Sequence, residues 1–227
     1  MRDDGMIQLF RRLLRAPDPA AREAAAEAMR VVARRVDRQR NQSCDALVAA
    51  DRIGCVLTGA VRKYSLRSDG HRQIVDLLMP GDFLGLSHRD PCFALEAVSN
   101  GTGIASFRPG QVEALAQAHT VIANLILDRT ADAIRRLEAH LLVQGRTTAI
   151  GKVGGYLVTM CGRMAEGRNG SLVLPISRYD IADHLGIAVE TVSRTMTTLT
   201  QRGMIALPSP RHVEIRDPVR LAEGASY

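Results

Sequence analysis

Two short amphipathic stretches flanking a single glycine, Gly186, constrain this chain more than any other feature of its 227 residues. Upstream, Ser177-Arg178-Tyr179-Asp180 has the spacing of a capping box, in which the Ser hydroxyl and the Asp carboxylate each satisfy an orphan amide at a helix start. The helix it opens is expected over Arg178–His184, turning Ile181, Ala182 and Leu185 inward. Gly186 breaks it. A second helix is expected from about Val189 to Gln201, with Val192, Met196 and Leu199 as its apolar stripe. Helix, tight glycine turn and helix make a helix-turn-helix, whose second helix enters the major groove of duplex DNA. Beyond it, Gly203 to Leu207, Pro208-Ser209-Pro210-Arg211 and His212 to Arg216 read as strand, turn and strand, a winged hairpin.

A helical hairpin that merely packs can carry the same glycine, so the residues left off the apolar stripe decide between the two. Glu190, Thr191, Ser193, Arg194 and Thr197 occupy the first half and outer face of the second helix. Glu190 and Arg194 are four apart and share a face, which by itself describes an ordinary surface ion pair. On a recognition helix they have a second use. Arginine donates two hydrogen bonds to guanine O6 and N7, and glutamate accepts from cytosine N4.

The rest of the chain is long enough for a second domain. Residues 1–40 carry ten Arg against six acids, and Pro19 to Arg35 is Ala-rich, the composition of a surface helix packed on the neighbouring domain. From about Val56 to Phe107 the texture changes. Short apolar runs alternate with Thr58-Gly59, Ser68-Asp69-Gly70, Pro80-Gly81-Asp82 and Asn100-Gly101, the punctuation of an antiparallel sandwich or roll. Gln111 to Gln144 has no Pro or Gly and reads as one long helix. Along it Leu127, Thr130, Ile134, Leu137 and Leu141 recur at intervals of three and four, the seam of a dimer rather than a core helix. A helix reading over Ile150–Met164 is ended by Gly167-Arg168-Asn169-Gly170, and Leu172 to Pro175 reads as a short strand.

Composition narrows the classes further. No window approaches the roughly 18 apolar residues of a membrane span, and the N-terminus lacks the basic lead of a signal peptide. A cytoplasmic protein without a membrane partner is expected. Cys44, Cys55, Cys92 and Cys161 are separated by 11, 37 and 69 residues, unlike any close-spaced metal or redox pair. Cys161 lies on an apolar helical face and is expected in the core, whereas Cys44, in a polar loop, is the best candidate for a redox-sensitive thiol. Net charge is +6, and aromatics are 4% with no Trp, which disfavours a stacking platform for single strands. Gly-rich phosphate loops, paired-His metal motifs and nucleophile signatures are absent, so no enzymatic activity is expected.

Ile181-Ala182-Asp183-His184-Leu185-Gly186, followed by Val189-Glu190-Thr191-Val192-Ser193-Arg194, closely resembles the signature of the CRP/FNR superfamily of transcription regulators. The arrangement at positions 190, 193 and 194 looks like its FNR and FixK branch. Gly59 to Tyr64, Asp69 to Ile74 and Pro80 to Leu86 are similar to the same family's β-roll, most of all in FixK-type proteins, and Arg211 to Arg216 fits its wing. The resemblance covers about residues 55 to 217.

It implies an α+β fold: an N-terminal β-roll of the cyclic-nucleotide-binding kind, a long dimerisation helix and a C-terminal winged helix-turn-helix. The expected division is residues 1–40 as a helical segment, 41–110 as the roll, 111–145 as the dimerisation helix and 146–227 as the DNA-binding domain. By resemblance the chain is a homodimeric activator of the FNR/FixK type, controlling low-oxygen or respiratory genes with RNA polymerase as partner. Glu190, Ser193 and Arg194 would read a TTG-type half-site of palindromic double-stranded DNA. Thr191, Ser177 and Arg178 would join them, with Arg211 on a phosphate.

Departures from the family pattern bear on effectors. Cyclic-nucleotide-binding relatives carry Glu after the glycine at position 85 and Arg-Ser or Arg-Thr before the alanine at position 97, where this chain has Leu86 and Leu95-Glu96. An anionic Glu96 repels a cyclic phosphate, so no cyclic nucleotide is expected. Iron–sulfur relatives use close-spaced N-terminal cysteines, and none precedes Cys44 here. The expected cofactor is none. The alternative is a ligand- or haem-dependent gas or redox sensor on the same scaffold, since His88 sits where haem-binding relatives keep a ligand, although a solvated loop histidine is the simpler reading. Ala188 replaces the usual Thr cap of the recognition helix.

Overall fold

A computed structural model describes residues 4–48, 52–86, 92–164 and 170–223. Two compact units divide the chain: Met1–Leu66 with Asp76–Arg135, and Arg67–Val75 with Arg136–Tyr227.

The first unit opens with two helices, α1 (Asp4–Leu13) and α2 (Pro19–Val32). Asp18 caps α2 by accepting from the amides of Ala20 and Ala21, with Pro19 preset at the first helical position. A four-stranded sheet has the order β1 (Arg34–Arg38), β7 (Thr102–Phe107), β2 (Ile53–Thr58), β5 (Phe83–Leu84). A three-stranded sheet has the order β4 (Arg72–Leu78), β3 (Val61–Leu66), β6 (Ala94–Ala97). Val56, Val61, Leu84, Leu95 and Ile104 fill the space between the sheets. On the outer face of the first sheet, Cys55, Leu57, Ala105 and Phe107 meet Met6, Leu9 and Phe10 of α1 and Ala25, Ala26 and Met29 of α2. Strands covered on both faces read as continuous apolar runs rather than as alternation.

Two sequence expectations are corrected here. The sheet begins at Arg34, before the expected roll boundary at 41, because Arg34 to Arg38 pairs antiparallel with Ser106 to Thr102. Four charged residues in five hide that strand from any apolar pattern. The single helix expected over 111–144 is two, α3 (Pro109–Ala118) and α4 (Thr120–Gln144). His119 separates them at φ −132° and ψ 100°, its N–H donating to Leu115 O and its carbonyl accepting from Ile122. The β-branched run Thr120-Val121-Ile122 favours such a break without Gly or Pro.

The expected turns are present: Gly59, Gly70, Gly81 and Gly101 all have positive φ. In the second unit, α5 (Ala149–Arg163) is capped by Thr148. Next come β8 (Ser171–Val173), α6 (Arg178–Leu185), α7 (Val189–Gln201), β9 (Ile205–Ser209), β10 (His212–Ile215) and α8 (Pro218–Glu223). The strands form one sheet in the order β8-β10-β9. Tyr156, Leu157, Ile181, Leu185, Met196, Leu199 and Val213 are its buried centre. The turn expected over Gly167 to Asn169 lies outside the described residues.

Candidate nucleic-acid interface

The capping box that opens α6 forms in full. Ser177 Oγ accepts from the Asp180 amide at 3.2 Å, while Asp180 Oδ2 accepts from the Ser177 amide at 3.1 Å and from its hydroxyl at 2.7 Å. Gly186 ends the helix at φ +63°, a left-handed conformation costing a Cβ-bearing residue roughly 1 kcal/mol or more. α7 follows after Ile187 and Ala188, and no side chain caps its first turn. Its amides face outward at the positive end of the helix dipole.

Val192, Thr195, Met196 and Leu199 of α7 are buried, which turns the opposite face to solvent. Glu190, Arg194 and Thr197 are exposed, and Thr191 and Ser193 are half-buried beside them. Thr197 and Thr198 donate back to the carbonyls of Ser193 and Arg194, one turn earlier on the helix. Arg178 is half-buried at the start of α6. The Ser177 hydroxyl is engaged twice by Asp180, so its first role is to cap the helix. Arg211 stands exposed in the two-residue turn between β9 and β10, its carbonyl accepting from Leu174 at 2.8 Å.

The seam on α4 is exposed along its length. Leu127, Ile134, Leu137 and Leu141 are 47–69% accessible, and Thr130 lies on the same face. Ile122, Leu125 and Val143 supply the buried side of the helix.

Sequence reasoning missed a set of long-range polar contacts on α6. Arg72 Nη2 donates to Asp180 Oδ1 at 3.0 Å, and Arg72 Nε to Asp183 Oδ2 at 2.8 Å. The His184 carbonyl accepts from Gln73 Nε2 at 3.2 Å and from Gln144 Nε2 at 2.6 Å. His184 Nδ1 donates to Ile74 O at 3.1 Å, and its ring lies against that of His140, tilted by 34° with centroids 4.1 Å apart. Arg72 and Gln73 read only as a strand leaving a hairpin, because nothing local marks partners more than a hundred residues away.

Inside the roll, Glu96 is paired. Arg62 Nη2 reaches Glu96 Oε2 at 2.7 Å and Asn41 Oδ1 at 3.0 Å, with the Arg62 and Glu96 side chains 7% and 16% exposed. Cys44 corrects the redox reading. Burial leaves it fully enclosed and pushes its thiol up to about 11, so the reactive thiolate is scarce at neutral pH. Cys161 is half-buried on α5, and His88 lies outside the described residues. Among the described residues no helix is long and apolar enough to cross a membrane, and no group of three His, Cys, Asp or Glu is placed to hold a metal ion.

A winged helix-turn-helix joined through a long helix to a β-roll defines a class, the helix-turn-helix transcription regulator. Comparison with known proteins places the chain within that class. Residues 151–223 match the Crp-like helix-turn-helix domain. The nitrogen fixation regulation protein FixK of Rhizobium meliloti is 39% identical over 176 residues, 75% of this chain and 77% of that protein. The transcriptional activator protein FnrL of Cereibacter sphaeroides is 33% identical over 181 residues, 77% of this chain and 73% of its own length. The solved structure of FixK2 from Bradyrhizobium japonicum superposes with a TM-score of 0.74 at 32% identity, covering 86% of this chain and 98% of that one. The chain belongs to the CRP/FNR family of transcription regulators, in its FixK-like branch.

Proposed function

We propose that the protein is a homodimeric transcription activator that reads a palindrome with TTG-type half-sites. α7 lies in the major groove, where Arg194 donates a bidentate pair to guanine and Glu190 accepts from cytosine N4. Ser193 and Thr191 contact the neighbouring bases. Arg178, Arg211, the Ser177 edge of α6 and the uncapped first-turn amides of α7 hold phosphates, fixing register without reading sequence. The observation that carries this reading is the division of α7. Its apolar stripe is buried, while Glu190 and Arg194 stand exposed on the opposite face with no ion pair between them among the described residues. The exposed Leu127–Leu141 seam supports a parallel dimer, since a contiguous apolar stripe on a charged helix needs a partner surface.

The protein works without a cyclic nucleotide or an iron–sulfur cluster. The Arg62–Glu96 pair supports the first point, because the cation that could meet a phosphate is already neutralised inside the roll. RNA polymerase is the partner, and low-oxygen or respiratory genes are the targets, by likeness to FixK and FnrL. Selection of bound sequences from random duplexes tests the central claim. Enrichment of a two-fold symmetric TTG-containing site is expected, and an enriched pool without dyad symmetry overturns it. Calorimetry with micromolar cyclic AMP is expected to register no binding.

A further inference from the structure

α6 is only eight residues long, yet it is gripped at both ends by residues far away in sequence. The tip of the β3–β4 hairpin, Arg67–Val75, belongs to the same compact unit as α6, as does the end of α4 from Arg136. Arg72 forks across two carboxylates: Asp180, which is 4% exposed and holds the helix N-terminus through the capping box, and Asp183 one turn on, which is 31% exposed. At the other end, both lone pairs of the His184 carbonyl are taken, one by Gln73 of the hairpin and one by Gln144 of α4. Gln144 stands three residues past Leu141, the last position of the seam. Ile74 O, which can only accept, fixes the His184 ring with Nδ1 as donor, against His140 and the edge of Tyr156.

The helix that anchors the recognition helix is thus tied through Gln144 to the end of the helix that carries the seam, and through Arg72 and Gln73 to the β3–β4 hairpin. In a two-fold dimer the two copies of α7 must meet half-sites at a fixed separation along the duplex, and any rocking of α6 against α4 blurs that separation. We propose that Arg72 is a positioning residue for operator recognition: by bridging Asp180 and Asp183 it sets the spacing at which the two α7 helices are presented. This rests on the homodimeric, palindrome-reading function above.

The test measures binding of the full chain to three duplexes: the cognate palindrome, palindromes with the spacer changed by one base pair, and a single half-site. Arg72→Ala is expected to lose about tenfold on the palindrome while staying within about twofold on the half-site, and its discrimination between spacers should narrow about tenfold. Asp183→Asn leaves the buried Arg72–Asp180 pair intact and guards against a folding defect. It should narrow the same discrimination about threefold, and add nothing further in the Arg72→Ala background. Arg72→Lys should restore only part of the effect, because an ammonium cannot fork across two carboxylates. If wild-type protein prefers the palindrome but neither Arg72→Ala nor Asp183→Asn changes spacer discrimination, the positioning role is wrong and the function stands. If the wild type shows no preference for a palindrome, both fall.

Discussion

Arg194 carries the sharpest expectation at the scale of single residues. If it forks onto guanine, Arg194→Ala removes about 1–3 kcal/mol of discrimination per half-site and flattens the preference for guanine there. A competition shift assay with all four bases at that position checks this, and an equal loss at all four with the fold intact rules out base readout. Arg211 in the wing turn behaves differently. As a phosphate contact, its replacement by alanine should weaken all sequences alike and lower the salt slope by about one per subunit. The thiols make a third test. Burial raises Cys44 to about 11 and pushes Cys55 higher still, so both remain protonated at neutral pH, while Cys92 is exposed. Timed alkylation of native protein at neutral pH should modify Cys92 well before Cys44 or Cys55, which should react only on unfolding. Fast modification of Cys44 in native protein would return it to the redox role.

At the scale of elements, α4 and α7 illustrate how a helix divides its faces. α4 buries Ile122, Leu125 and Val143 and leaves the three-four apolar seam exposed. In the proposed dimer, Ile134→Glu would put two like charges at the centre of the two-fold seam. It is expected to yield monomers by light scattering and to weaken palindrome binding far more than half-site binding. A variant that stays dimeric places the interface elsewhere. The boundaries of α6 and α7 were legible because capping box, glycine turn and apolar period all act within about four residues. The break at His119 was not, since it is written neither in Gly nor in Pro.

At the scale of the whole molecule, the N-terminal helices are part of the core and no mere arm. Phe10 is fully buried, with its ring 6.1 Å from that of Phe107 on the inner strand β7. Phe10→Ala should cost about 3–5 kcal/mol of stability, read as a shift of the denaturation midpoint. An unchanged midpoint would mean that α1 is dispensable to the fold.

The sequence by itself determined the helix-turn-helix, the wing, the glycine turns of the roll, the outward face of α7 and the seam of α4. Each is set by chemistry between residues a few positions apart: a cap, a period of 3.6, a positive φ. Only the tertiary structure decided that Arg34 to Arg38 is a strand, that Cys44 is enclosed, that Glu96 has Arg62 as counter-ion and that Arg72 holds α6. The strand, the Glu96 ion pair and the hold on α6 are pairings across about 34 to 111 residues in which neither partner carries a local mark, and the enclosure of Cys44 is likewise made by the packing of the fold. Charged side chains look alike on the page whether they end in water or against one another, and only the fold, by deciding what is buried beside what, tells the two apart.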